Sequence, residues 1–200
     1  MSPIQFAAFD AAQHDIGLVA DLIARSDEQI NPLVYGRDPV GVISEMLRLG
    51  SNYFDGKYLS VVTLDNEIVG VAAGYPVRDK QHIEKVSSAA FAKAMGMLQV
   101  IRRIPFYKKL DAIMQGPMES DAYYVHTLSI HPQYQGRGLG TQIIAALTQQ
   151  HRTLYLHVNP DKSRSYHFYE KMGFREQSGG CMMHKGKTLR QSLMVLDANA

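Results

Sequence analysis

Residues 123–141 constrain this chain more than any other stretch. The alternating run from Tyr123 to Ile130 stops at His131-Pro132. Gly136, Gly138 and Gly140 follow in close succession, and the apolar stretch Ile143-Ile144-Ala145-Ala146-Leu147 comes next. Period-two alternation predicts a strand over 123–130, and helical spacing predicts a helix over 139–150. The glycines between them can take positive φ and let a ligand approach the backbone with no Cβ in the way. A strand, glycine loop and helix in this order aim backbone N–H groups and the positive end of a helix at one point, which is an anion site. Arg137 adds a charge able to pair with phosphate oxygens. The expected ligand is therefore a phosphorylated small molecule. Two common phosphate binders are excluded: the alternating glycines do not fit G-x-G-x-x-G, and no Gly-Lys-Ser/Thr closes the loop.

The chain's 200 residues, 46% of them hydrophobic and 20% charged, suit one globular domain spanning 1–200. A net charge of +2 leaves no nucleic-acid footprint on the chain as a whole. No apolar run approaches the roughly 20 residues a membrane span needs, so no membrane partner is expected. The start, MSPIQFAAFDAAQHD, has neither the basic nor the apolar region of a secretory signal. The lone cysteine, Cys181, rules out an internal disulfide and reads as a small buried hydrophobe in a reducing compartment. The location expected is cytoplasmic. No His, Cys, Asp and Glu cluster has metal-ligand spacing, so no metal is expected.

Along the chain the spacing predicts a strand at 4–9, helices at 15–30 and 38–49, and a hairpin of strands 58–64 and 67–75 around Asp65-Asn66. Residues 79–117 carry apolar positions at helical spacing and predict two helices separated at Ile104-Pro105. After the glycine loop come a helix at 139–150, a strand at 153–158 and a helix at 163–172 ended by Gly173. The tail predicts short strands at 174–176 and 193–197 around a loop at 178–187.

The loop reads Gln135-Gly136-Arg137-Gly138-Leu139-Gly140, a Q/R-x-x-G-x-G/A pattern, and it follows Leu128-Ser129-Ile130-His131-Pro132. Together these closely resemble the GCN5-related N-acetyltransferase (GNAT) superfamily. The resemblance implies a mixed α/β fold, a splayed β-sheet flanked by helices. The sheet should open between strands 123–130 and 153–158, where acetyl-coenzyme A enters like a missing strand. The helical insertion before the central strand, 79–117, has no counterpart in the minimal fold.

The resemblance also implies roles. Leu128, Ser129 and Ile130 would face the pantetheine arm. Gln135, Gly136, Arg137, Gly138, Leu139, Gly140 and Thr141 would cradle the pyrophosphate. The segment SYHFYEKMGF is similar to the superfamily's A-x-x-x-Y-E-K-x-G-F, with Ser165 in the small-residue position and Tyr169 as the acid that protonates the departing thiolate. The family often has Asn seven residues before the tyrosine. Lys162 stands there, and Asn159 is the expected substitute.

Strand alternation puts Tyr124, His126 and Leu128 on one face. No glutamate lies between Tyr123 and His131. The Tyr-x-His pattern resembles the arylalkylamine acetyltransferases, which implies His126 as the base, titrating near pH 6.5. His131, His157 and His167 read as structural.

Acceptor candidates are Asp27, Glu28, Asn31, Tyr35, Glu119, Asp121 and Tyr123, roofed by the insert with its Met95, Met97 and Met114. The reading is an acetyl-coenzyme A-dependent N-acetyltransferase in which a small-molecule amine attacks directly in a ternary complex. Alternatives are acetylation of a protein N-terminus or lysine, and a non-catalytic acetyl-coenzyme A-binding module. The assignment leaves room for a homodimer.

Overall fold

A computed structural model describes residues 3–161 and 163–198; Lys162 lies outside them. One seven-stranded sheet draws its strands from nearly the whole chain, in the order β1-β2-β3-β4-β5-β7-β6. These are β1 (Gln5–Ala8), β2 (Leu59–Leu64), β3 (Glu67–Pro76), β4 (Tyr123–Ile130), β5 (Thr153–Val158), β6 (Arg175–His184) and β7 (Lys187–Asp197). Every neighbouring pair is antiparallel except β4 and β5, which are parallel. That parallel pairing lasts only from Tyr123↔Leu154 to Val125↔Leu156. Beyond it the strands part, while β4 stays paired with β3 as far as Ile130. The sheet is splayed between the two strands where the resemblance implied an opening.

Among the described residues seven α-helices flank it: α1 (Ile16–Ser26), α2 (Asn31–Tyr35), α3 (Pro39–Leu49), α4 (Lys80–Met95), α5 (Met97–Ile113), α6 (Leu139–Gln150) and α7 (Ser163–Lys171). Caps fix their starts: the Asp15 carboxylate accepts from the Leu18 N–H at 3.0 Å, and that of Asp38 from the Gly41 N–H at 2.9 Å, with Pro39 in the first turn. Burial follows helical period. Val19, Ala20, Leu22 and Ile23 of α1 and Ile43, Met46 and Leu47 of α3 pack with Val61, Val71 and Ala73 on one side of the sheet. On the other side α6 buries Leu139 and Ile143 against β2 and β3, and Ile144 against β4 and β5.

Four details differ from expectation. The helix expected over 15–30 stops at Ser26, and Pro32 helps open α2, since a proline lacks only an N–H that a first turn leaves unpaired anyway. The break in the insert falls at Gly96, not at Pro105, which lies inside α5. Gly96 takes φ of 90° and its N–H closes α4 on the Ala92 carbonyl, a termination a glycine performs at no steric cost. The tail forms one long hairpin, with Lys185 and Gly186 both at positive φ in its two-residue turn. Gly179 and Gly180 masked β6 in the sequence; a Cβ on Gly180 would meet the Ile113 backbone at 2.7 Å, so glycine there lets α5 lie on the hairpin. Cys181 on β6 is exposed rather than buried.

Candidate active site

β4 ends in a single 3-10 turn, Pro132–Tyr134, where His131 accepts from the Gln133 N–H at 3.4 Å. The loop that follows holds Gly136 at φ 77° and Gly138 at φ 75°, and Gly138 is the left-handed N-cap of α6. A Cβ on either would find no heavy atom within 4 Å, so the backbone faces open space. Beside it lies a cavity of about 340 Å³. Leu128, Ser129, Ile130, Gln135, Gly136, Gly138, Leu139, Gly140, Thr141 and Ser165 all border it.

Two expected ligands are engaged otherwise. The Arg137 guanidinium lies 5.0 Å over the Tyr134 ring, and Gln135 Nε2 donates to the Ile130 carbonyl at 3.0 Å, pinning the loop. Asn159 is outside this cavity: its side chain donates to Gln29 Oε1 and accepts from the Asp161 N–H, which commits the amide to holding the turn after β5. Arg25 and Arg164 border the cavity and were missed, because single arginines at helix ends carry no sequence signal.

A second cavity of about 230 Å³ fills the deeper part of the splay. Tyr124, His126, His157 and Tyr169 face it from β4, β5 and α7. Asp27, Asn31 and Tyr35 border it from the region of α1 and α2, and Leu110 and Met114 from the insert. Tyr169 borders both cavities, half-buried between the rings of Phe168 at 5.1 Å and Phe174 at 5.4 Å. Burial pushes its phenol up to about 12.

His126 stacks on Tyr53 at 4.5 Å, and its Nδ1 lies 2.8 Å from Thr127 Oγ1. Burial pushes the imidazole down to about 4, so it is neutral well below the expected value near 6.5. His157, read from the sequence as structural, stands beside His126 in the site. It borders the same cavity, its Nδ1 is 2.9 Å from the Tyr124 hydroxyl, and burial, then the Lys80 charge and His126, hold it at about 4.

The acceptor candidates separate. Asp27 accepts from the Gln29 and Ile30 N–H groups and from Gln191 Nε2, and so is partnered. Glu28 faces a different groove, Glu119 accepts from Thr153 Oγ1 at 3.5 Å, and Asp121 is exposed. Tyr123 stands on the opposite sheet face, stacked on His151 at 4.0 Å.

An unpaired strand edge at one end of the splay and an N–H-rich loop at the other suit a ligand with amides at one end and phosphates at the other. The comparisons agree. The model of the acetyltransferase (GNAT) family matches residues 28–174, and the chain belongs to that family. Members transfer acetyl from acetyl-coenzyme A, which is the co-substrate here.

Among curated proteins, the N-alpha-acetyltransferase RimI of Mycobacterium tuberculosis is 36% identical over 55 residues, 26% of this chain and 35% of the relative, so the match spans about a third of that protein's length. Among solved structures, an N-acetyltransferase from Staphylococcus aureus superposes with a TM-score of 0.69 at 16% identity, covering 96% of this chain and all of that one. A GNAT acetyltransferase from Elizabethkingia anophelis with acetyl-coenzyme A bound gives 0.55 at 13%, covering 98% and 99%. The ribosomal-protein-S18-alanine N-acetyltransferase from Escherichia coli gives 0.52 at 12%, covering 98% and 94%. At these identities the structural likeness speaks for the fold.

Proposed function

We propose that the chain acts as a single acetyltransferase domain that acetylates the amine of a small molecule by direct attack in a ternary complex. The observation that carries this reading is that Leu110 and Met114 of the insert border the inner cavity together with His126. A partly enclosed pocket of this size, in which Tyr35, Tyr53, Phe54 and Tyr124 stand among polar groups, suits a compact amine rather than a folded protein surface.

In the proposed mechanism the thioester lies along the unpaired part of β4, with the pyrophosphate over Gln135 to Thr141. The free amine attacks the thioester carbon; the N–C bond forms and the C–S bond breaks. His126, neutral at physiological pH, accepts the amine's proton directly or through one water. The Tyr169 hydroxyl donates to the leaving sulfur. With a phenol near 12 and a thiol reference of ~8.5, full proton transfer is uphill by roughly 5 kcal/mol. Tyr169 therefore works first as a fixed donor that stabilises the thiolate.

The similarity to RimI, an N-alpha-acetyltransferase, favours a second reading in which a peptide N-terminus enters the same cavity. Coenzyme A thiol release, followed with a thiol-reactive dye across a panel of small amines and of peptides with free N-termini, separates the two. Turnover confined to peptides overturns the small-molecule reading. Binding of acetyl-coenzyme A with no turnover on any amine overturns both.

A further inference from the structure

α5 is apolar on two sides, and only one is used. Phe106, Leu110 and Ile113 point into the protein against Ile30, Met182 and Leu189. Met97, Leu98, Ile101 and Ile104 point into solvent, at 62%, 61%, 53% and 41% exposure. The spacings of three, four and seven residues put Met97, Ile101 and Ile104 on one stripe, with Leu98 at its edge. Phe6 and Met183 are the other large apolar side chains as exposed among the described residues, so two-thirds of that group lies on about two turns of one helix. Scattered exposed apolar residues need no explanation, but a contiguous set does.

The charge around the stripe identifies what would cover it. Residues 85–110 contain Lys85, Lys93, Arg102, Arg103, Lys108 and Lys109 and no Asp or Glu. Six positive charges here, against +2 for the whole chain, leave the rest of the protein at −4. Arg103 is spent on the Leu33 carbonyl at 2.9 Å. The other five are exposed, and none is in an ion pair found among the described residues.

A second copy docking through the same face would oppose like charges. A nucleic acid would satisfy the cations and offer nothing to the isoleucines. An anionic lipid surface takes both, with side chains reaching the acyl boundary and cations among the headgroups. We propose that the solvent face of α5 is a peripheral docking surface for anionic membranes. This is a contact lying on the bilayer; no helix among the described residues is long and apolar enough to cross one.

The test is flotation of the full-length protein with vesicles of phosphatidylcholine alone and with 30% phosphatidylglycerol. The expected result is partition onto the anionic vesicles only, lost in high salt because exposed charges are screened. Each cation near an anionic leaflet contributes about five-fold in partition, so Lys108→Gln with Lys109→Gln should weaken binding roughly 25-fold. Leu98→Ser with Ile101→Ser should remove it. All four residues are exposed, so the melting temperature should not move, and acetyl-coenzyme A binding should be retained. Absence of binding to anionic vesicles, equal binding to neutral ones, or a dimer in sedimentation velocity that these same substitutions abolish each overturns the proposal.

Discussion

Replacing Gly138 with valine tests the cofactor loop most directly. Gly138 sits at φ 75°, where an L-residue incurs a Cβ–carbonyl clash of roughly 1–2 kcal/mol, more when β-branched. No neighbour obstructs the new side chain, because nothing lies within 4 Å of the Cβ position. The cost is thus confined to backbone geometry, and for a chain of this size it lowers the melting temperature by only about 3–8 °C.

Binding should suffer far more. The valine either relaxes φ, turning the α6 N-terminal N–H groups away, or stays and occupies the face the pyrophosphate must approach. Each charge-assisted hydrogen bond lost costs about 1.5–3 kcal/mol, so losing one or two weakens coenzyme A by roughly 10- to 10⁴-fold. Gly140→Ala is the contrasting control. Its φ is ordinary and its Cβ would meet the Phe168 ring at 3.1 Å, a contact a small ring shift relieves. That variant should bind within a few-fold of the parent. Calorimetric titration with coenzyme A, alongside thermal melts, reads both quantities. A folded Gly138→Val protein that binds as the parent does would refute the loop assignment.

Three further outcomes follow from the inner cavity. Tyr169→Phe should lower kcat by 10²- to 10⁴-fold with coenzyme A affinity nearly unchanged, in steady-state kinetics and titration; a loss of affinity equal to the loss of kcat would make the tyrosine a packing residue. Because burial holds His126 near 4, the acidic limb of kcat/KM should lie near pH 4 rather than 6 to 7, and His126→Gln should remove it; a limb that stays in place clears His126 as the base. His126 and His157 are both depressed to about 4, so the unfolded chain binds more protons between pH 4 and 6.5. Stability is then full above 6.5 and falls with acidification by up to roughly 1.4 kcal/mol per pH unit per histidine. Urea unfolding at pH 7, 5.5 and 4.5 measures that slope, and His126→Gln should reduce it.

The parts of the fold visible in the sequence are those that a local rule dictates. β4, β5 and α6 have the bounds that alternation, helical spacing and the glycine loop predict. The parts that were not visible depend on distant partners. β6 looked like a loop because glycines there serve the packing of α5, 67 residues away in the Ile113–Gly180 contact. Pro105 looked like a helix end, yet Gly96 supplies the break while α5 continues through the proline, held by Phe106 and Leu110 in the core. The site divides similarly. The loop and Tyr169 stood out as motifs. His157, Arg25 and Arg164 reach their cavities only because β5, α1 and α7 converge there.

The short parallel seam has a consequence for how the protein holds together. Within the sheet, three register pairs between β4 and β5 are the whole backbone pairing of the β1–β4 half with the β5–β7 half among the described residues. Along one side α6 bridges the halves like a splint, with Ile143 on one and Ile144 on the other. On the other side Tyr75 and Tyr124 pack with Tyr155 and Leu193 across the seam, and cavity begins where the strands part. A ligand wedged in that gap serves as an interior cross-beam as well as a reactant. At a hundred times its dissociation constant, a ligand that binds only the native state adds about 2.7 kcal/mol to stability. The mechanical integrity of this enzyme is thereby tied to the abundance of its own acyl donor.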